Sequence, residues 1–232
     1  MTERRLTGHA LVPGAAFIVI AALFATTDLD QAIARAWAYD SALGTFPARD
    51  AWWASELLHT GGKYVVGTLA LPAVCAWLAS FFSVTWREYR RPALFIVASI
   101  AIAILTVDVL RVLTNVDCPW DLAGFGGTRP YVALFGNRPD SLPHATCFPG
   151  AHSGSGFALM AYYFALRERH GAAAIAALLL AVGIGAVFGF GQEVRGAHFI
   201  SHDLWSAFIV WFVELALYAG AFHGRLWPPA AR

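Results

Sequence analysis

Charge is scarce in this chain. Asp, Glu, Lys and Arg supply 13% of the 232 residues while 58% are hydrophobic, a balance that argues against an ordinary water-soluble domain. The two signs nearly cancel at a formal net charge of +1, so there is no basic footprint to hold nucleic acid. Linkers rich in Ser and Pro, internal repeats and low-complexity tracts are missing, which leaves residues 1–232 as a single domain. What is abundant is apolar. A mean hydropathy of +0.57 and nine tryptophans point to a bilayer, where aromatic rings collect at the interfaces.

Apolar runs recur at 10–25, 63–82, 92–113, 153–166, 172–189 and 204–222. Each is near the ~20 residues that cross a hydrocarbon core, the fourth being short and beginning near His152. Thr2-Glu3-Arg4-Arg5 precedes the first run. A basic start and an apolar centre also describe a cleaved signal peptide, but no clear small-x-small cleavage site follows, and retention as a first membrane helix is the expectation. Residues 28–62 are polar and carry Trp37, Trp52 and Trp53. Within them, 30–39 and 50–59 have the pattern of short amphipathic helices lying in the interface, the alternative being a loop that merely holds tryptophans.

With the N-terminus inside, the inner segments hold Arg4, Arg5, Arg87, Arg90, Arg91, Arg167, Arg169, Arg225 and Arg232. Arginines in the outer loops are offset by Asp28, Asp30, Asp40, Asp50, Asp117, Asp121 and Asp140. That asymmetry follows the positive-inside rule. The expected fold is an all-α integral membrane bundle of six transmembrane helices with both termini cytoplasmic. It brings loops 114–152 and 190–203 together on the outer face. Cys118 and Cys147 share the first of these loops, in an oxidising compartment. A disulfide between them is expected, two free buried thiols being the alternative. Cys75 falls in the second run, where a thiol behaves as a small hydrophobe.

Those loops hold nearly every residue with chemical potential. Arg195-Gly196-Ala197-His198-Phe199-Ile200-Ser201-His202-Asp203 packs an arginine, two histidines and a carboxylate into nine residues at the edge of apolar segments, where ionisable groups are costly and mark function. The other loop offers Asp117-Cys118-Pro119-Trp120-Asp121-Leu122, then Gly126-Gly127-Thr128-Arg129-Pro130, then Cys147-Phe148-Pro149-Gly150-Ala151-His152. Arginine forks and free backbone N–H groups at a helix start suit a tetrahedral oxyanion. Histidine serves as nucleophile or general acid near neutral pH, with a carboxylate to fix its tautomer.

These residues resemble the type-2 phosphatidic acid phosphatase superfamily of membrane lipid phosphatases. Its pattern is Lys, six residues, Arg-Pro; then Pro-Ser-Gly-His; then Ser-Arg, five residues, His, three residues, Asp. Here Arg129-Pro130, Pro149-Gly150-Ala151-His152 and His198 with Asp203 stand in that order, and the Asp117–Leu122 stretch looks like a bacterial, lipid A phosphatase-like branch. The departures are specific. Arg111 stands in for the family's Lys, Gly150 and Ala151 replace Ser-Gly, and Gln192 occupies the place of the last motif's Arg, with Arg195 three residues later. His198 and Asp203 are one residue further apart than in the family, with His202 intervening.

The resemblance implies a bacterial inner-membrane phosphatase acting on a lipid phosphate at the periplasmic leaflet. Lipid A, a polyprenyl pyrophosphate or a phospholipid phosphate would be the substrate. It implies His198 as nucleophile forming a phosphohistidine, Asp203 as its orienting carboxylate, and His152 as general acid and then base. Arg129, Arg195, Arg111, Gln192 and the backbone at Gly150 and Ala151 would hold phosphate, and His202 would assist or cap the last helix. No cofactor and no metal are implied. The alternatives are a lipid-to-lipid phosphotransferase, a catalytically lapsed phospholipid- or phosphate-binding protein, and a zinc site from His198, His202, His152, His144 and Asp203. The last lacks the Glu of His-Glu-x-x-His, since Phe199 stands there. Asp108 and Arg111, three apart, are expected to neutralise each other, Lys63 to snorkel, and Glu214 to be satisfied by another helix.

Overall fold

The computed structural model describes residues 3–227, with side chains from residue 7 onward, so the expected inner placement of Arg4, Arg5 and Arg232 lies outside what is described. Among the described residues the α-helices are α1 (Glu3–Thr26), α2 (Leu29–Trp37), α3 (Gly61–Phe82), α4 (Arg90–Thr114), α5 (Ala151–Phe157), α6 (Ala161–Leu166), α7 (Gly171–Val194) and α8 (Ile200–Ala216). No β-strand forms among them; two isolated bridges pair Asp40 with Thr45 and Leu122 with Arg129.

Five helical stretches are long and apolar enough to cross a membrane: Thr7–Thr26, Trp53–Phe82, Arg87–Asp121, Gly171–Val194 and Ile200–Ala221. The chain is therefore a multi-pass membrane protein. The expected fourth span, 153–166, falls short of that length. It is built from α5, a 3-10 turn at Ala158–Met160 and α6. Its surroundings explain why a short segment suffices. Phe157, Ala158, Leu159, Met160, Ala161, Phe164 and Ala165 are all buried, in a column wrapped by α4, α7 and α8. A helix sheathed by others presents little surface to lipid. The outer helices carry the reverse pattern, with Ile18, Leu71, Phe82, Leu105, Leu113 and Leu179 exposed. Apolar surface on that scale fits hydrocarbon rather than water.

The segment 28–62 holds two helices, as expected, but the second does not stop at the glycines. Trp53–Thr60 is a π-helical stretch that runs without a break into α3. Gly62 serves close approach rather than helix termination: a Cβ there would sit 2.8 Å from Phe188 Cζ and 2.9 Å from His152 Cε1. The first helix, α2, belongs to a second apolar cluster, distinct from the main core. Ala34, Ala38, Phe46, Leu122, Phe125 and Phe199 are buried in it, with Tyr39 and Trp120 packed against them. It clamps α2 and loop 115–150 onto the turn before α8.

The two outer loops meet at one end of the bundle. Trp120 N–H donates to Gly196 O at 2.9 Å, and Cys118 is joined to Cys147, with Cα atoms 5.2 Å apart. Cys75 is free and exposed on α3. At the opposite end the turn after α6 meets the turn before α4, where Arg169 pairs with Glu88 at 2.8 Å. Against the main core, α1 packs on α8 through Phe17, edge-on to Trp205 at 4.6 Å. Glu214 is fully buried on α8 beside the Ala161 backbone of α6, with no close hydrogen bond to either carboxylate oxygen.

Candidate active site

The first turn of α8 is set before any chemistry is. Asp30 of α2 accepts hydrogen bonds from Ser201 N–H at 3.0 Å and from the Ser201 hydroxyl, so a carboxylate from another helix caps the α8 N-terminus. Burial pushes the Asp30 carboxyl up to about 6 from its ordinary 3.8, against the pull of the Ser201 hydrogen bonds. The capped turn presents Asp203 inward. His198, just before the helix, turns back so that its Nδ1–H donates to Asp203 Oδ1 at 2.7 Å. Since a carboxylate only accepts, His198 Nε2 keeps its lone pair.

The N-terminus of α5 lies directly against this pair. A Cβ on Gly150 would come 2.5 Å from Asp203 Oδ1, 2.7 Å from Ser153 Oγ and 2.8 Å from His198 Cε1, so only glycine allows the approach. The Ser153 hydroxyl donates to the same Asp203 Oδ1 at 2.5 Å. Ser206 Oγ–H ties Gly150 O at 2.8 Å, and Gly150 N–H donates to His202 O at 3.1 Å. Two residues into the helix, His152 stacks on Phe188 with ring centroids 4.4 Å apart and donates from Nε2 to Leu58 O at 2.9 Å. In the neutral ring Nδ1 therefore carries no proton.

Arg195 closes the turn after α7. Its Nε donates to Arg49 O at 3.1 Å and its Nη1 to Gln192 Oε1 at 3.2 Å, while Gln192 Nε2 reaches His59 Nδ1 at 3.1 Å. Burial, the largest influence, pulls the Arg195 guanidinium below its usual value, with Asp50 opposing. It stays a cation across the physiological range.

His198, Asp203, His152 and Gly150 are therefore brought together, with Gln192 and Arg195 linked to them through His59. Ala151 opens α5 and is half-buried beside them. The remaining arginines of the sequence reading are spoken for elsewhere. Arg129 binds Asp117 at 2.6 Å and lies 3.6 Å from Asp121, and Arg138 also grips Asp117. Arg111 pairs with Asp108 at 3.3 Å on a partly exposed helix face. His202 is buried, with Nδ1 donating to Cys147 O at 2.8 Å. It therefore anchors the disulfide-bearing loop to α8. Among the described residues no three His, Cys, Asp or Glu side chains gather as a metal cluster.

Residues beyond those expected from sequence also shape the site: Asp30, Ser153, Phe188, Ser206, Arg49, Leu58 and His59. Ser153 stands beside a motif histidine. Leu58 and Arg49 act through backbone carbonyls, which no residue type announces. His59 had only its place on an amphipathic stretch ahead of Gly61-Gly62.

Residues 92–224, more than half of the chain, match the PAP2 superfamily. Searches of curated proteins and of solved structures gave no match. The matched span covers α4 to α8 with both outer loops, and so contains His152, Arg195, His198 and Asp203. The chain belongs to the PAP2 superfamily.

Proposed function

We propose that this protein hydrolyses a lipid phosphate at the outer end of its helix bundle through a phosphohistidine on His198. Membership of the PAP2 superfamily supports a phosphatase-type function on lipid phosphates in general. The observation that carries the finer reading is the 2.7 Å hydrogen bond from His198 Nδ1 to the buried Asp203, which leaves the lone pair on Nε2.

In this reading Nε2 attacks phosphorus and the bond to the lipid oxygen breaks. Burial pulls the His152 imidazole down to about 4, so its Nδ1 first takes the proton of a phosphate monoanion as the substrate binds, hands it to the leaving oxygen, then takes one from the water that cleaves the phosphohistidine and releases phosphate. Asp203 balances the imidazolium formed on the way. Arg195 and the α5 backbone at Ala151 meet the developing charge, and positioning with charge stabilisation does the rest. Neither metal nor cofactor takes part.

The reading extends to a bacterial inner membrane with the site on the periplasmic side, which the arginine-rich turns at the opposite end support. The candidate substrates are lipid A, a polyprenyl pyrophosphate and phospholipid phosphates. Phosphate release by the purified protein in detergent micelles, measured over that panel, tests it. At least one lipid should be turned over by the wild type and not by His198→Ala. No release from any of them would defeat the proposal.

A further inference from the structure

The family match begins at residue 92, yet one of the rings at the site comes from before it. His59 lies in Trp53–Thr60, with its ring centroid 4.8 Å from that of His152. Its tautomer follows from its neighbours. A guanidinium has no acceptor, so the Arg195 contact makes Gln192 Oε1 the acceptor and turns the amide nitrogen toward His59. That nitrogen only donates, so His59 Nδ1 accepts and the proton of the neutral ring sits on Nε2. The string Arg195–Gln192–His59 thus ends in an N–H donor beside the general acid. It does so where the family's arginine is replaced by Gln192. Leu58, one residue earlier, fixes His152 through its carbonyl, so a single helical turn orients both rings.

We propose that His59 is a further substrate-binding residue of this site, its Nε2–H donating to an oxygen of the phosphoryl group as charge builds on it. The inference rests on the phosphatase reading above. It deepens that reading by assigning part of the phosphate cradle to a segment outside the family-matched region.

Two isosteric substitutions separate this role from ring packing. His59→Asn keeps an acceptor near Nδ1 for Gln192 and loses the distal donor. His59→Gln places an amide N–H near Nε2. With a lipid phosphate that the wild type hydrolyses, His59→Asn should lower kcat roughly a hundredfold, and His59→Gln should retain most of the activity. Both should unfold near the wild-type temperature. In the unaltered protein, saturating orthovanadate should protect His59 from carbethoxylation by diethyl pyrocarbonate, mapped by mass spectrometry, a readout that needs no variant to fold. Wild-type kcat in His59→Asn, an equal loss in both variants, or unprotected His59 under vanadate would each overturn the inference. Failure of the wild type to release phosphate would strike the phosphatase reading instead.

Discussion

Replacing Gly150 with alanine should cost activity far more than stability. The Gly150 backbone, at φ −68° and ψ 106°, is one that any residue adopts, so there is no backbone strain and the effect is steric. The new methyl would meet three atoms between 2.5 and 2.8 Å away: Asp203 Oδ1, Ser153 Oγ and His198 Cε1. Ordinary contacts begin near 3.4 Å, so close to an ångström of displacement falls on the His198–Asp203 pair, the proposed nucleophile and its carboxylate. Overpacking of this kind destabilises by about 1–3 kcal/mol. Misplacing reacting groups by about 1 Å costs on the order of a hundredfold in rate. Serine, which would restore the family's residue, should fare no better, because Ser153 Oγ already fills the space its Cβ needs. The assay is kcat for phosphate release alongside the thermal unfolding midpoint. Gly183→Ala serves as control, since nothing lies within 4 Å of a Cβ there. A Gly150→Ala protein with kcat within about threefold of wild type would refute the packing argument.

Asp203→Asn should lower kcat by roughly a thousandfold or more with little change in KM, because an amide facing His198 Nδ1 favours the tautomer that protonates Nε2; near-normal kcat would remove Asp203 from the mechanism. Reduction of the Cys118–Cys147 bridge, which closes a separation of 29 residues, should destabilise the protein by about 3–4 kcal/mol. Intact-mass analysis of denatured, unreduced, alkylated protein should show one modified cysteine, Cys75, and two or more would sink the bridge. The raised Asp30 carboxyl favours folding below its ordinary value of 3.8, and that contribution is lost as pH rises through about 6. Asp30→Asn should therefore gain stability relative to wild type between pH 4 and 8, by up to about 3 kcal/mol in thermal or denaturant unfolding; a difference independent of pH would contradict it. Activity should survive chelators and yield to vanadate, and loss on chelation restored by zinc would reverse that expectation.

Much of the fold was legible because a bilayer writes itself into composition. Runs of apolar residues and the arginines between them located α1, α3, α4, α7 and α8. What periodicity could not tell was that 153–166 is sheathed by other helices, since a buried helix and a lipid-facing one are both apolar. The gap expected between 50–59 and 63–82 is closed in the structure, where Gly61 and Gly62 lie inside one continuous helix. Glycine marks helix ends in sequence, whereas here it admits Phe188 and His152. The spacing of His198, Asp203 and His152 follows a motif, and the structure brings the three side chains to one place. The same motif puts Arg129 on phosphate, and in the structure it pairs with Asp117, a partner twelve residues away that spacing does not reveal. His59 and the carbonyls of Leu58 and Arg49 were hidden for a physical reason. They reach the site through tertiary packing, and no local pattern encodes it.

The central claim is that His198 carries the phosphoryl group. The most direct test is to mix the protein with a radiolabelled lipid phosphate, quench in alkali within the first turnover, and map the label by mass spectrometry. Phosphohistidine survives base, and the account predicts it on His198 and absent from His198→Ala. Label on His202, or turnover that leaves no labelled protein at any time, would contradict the account.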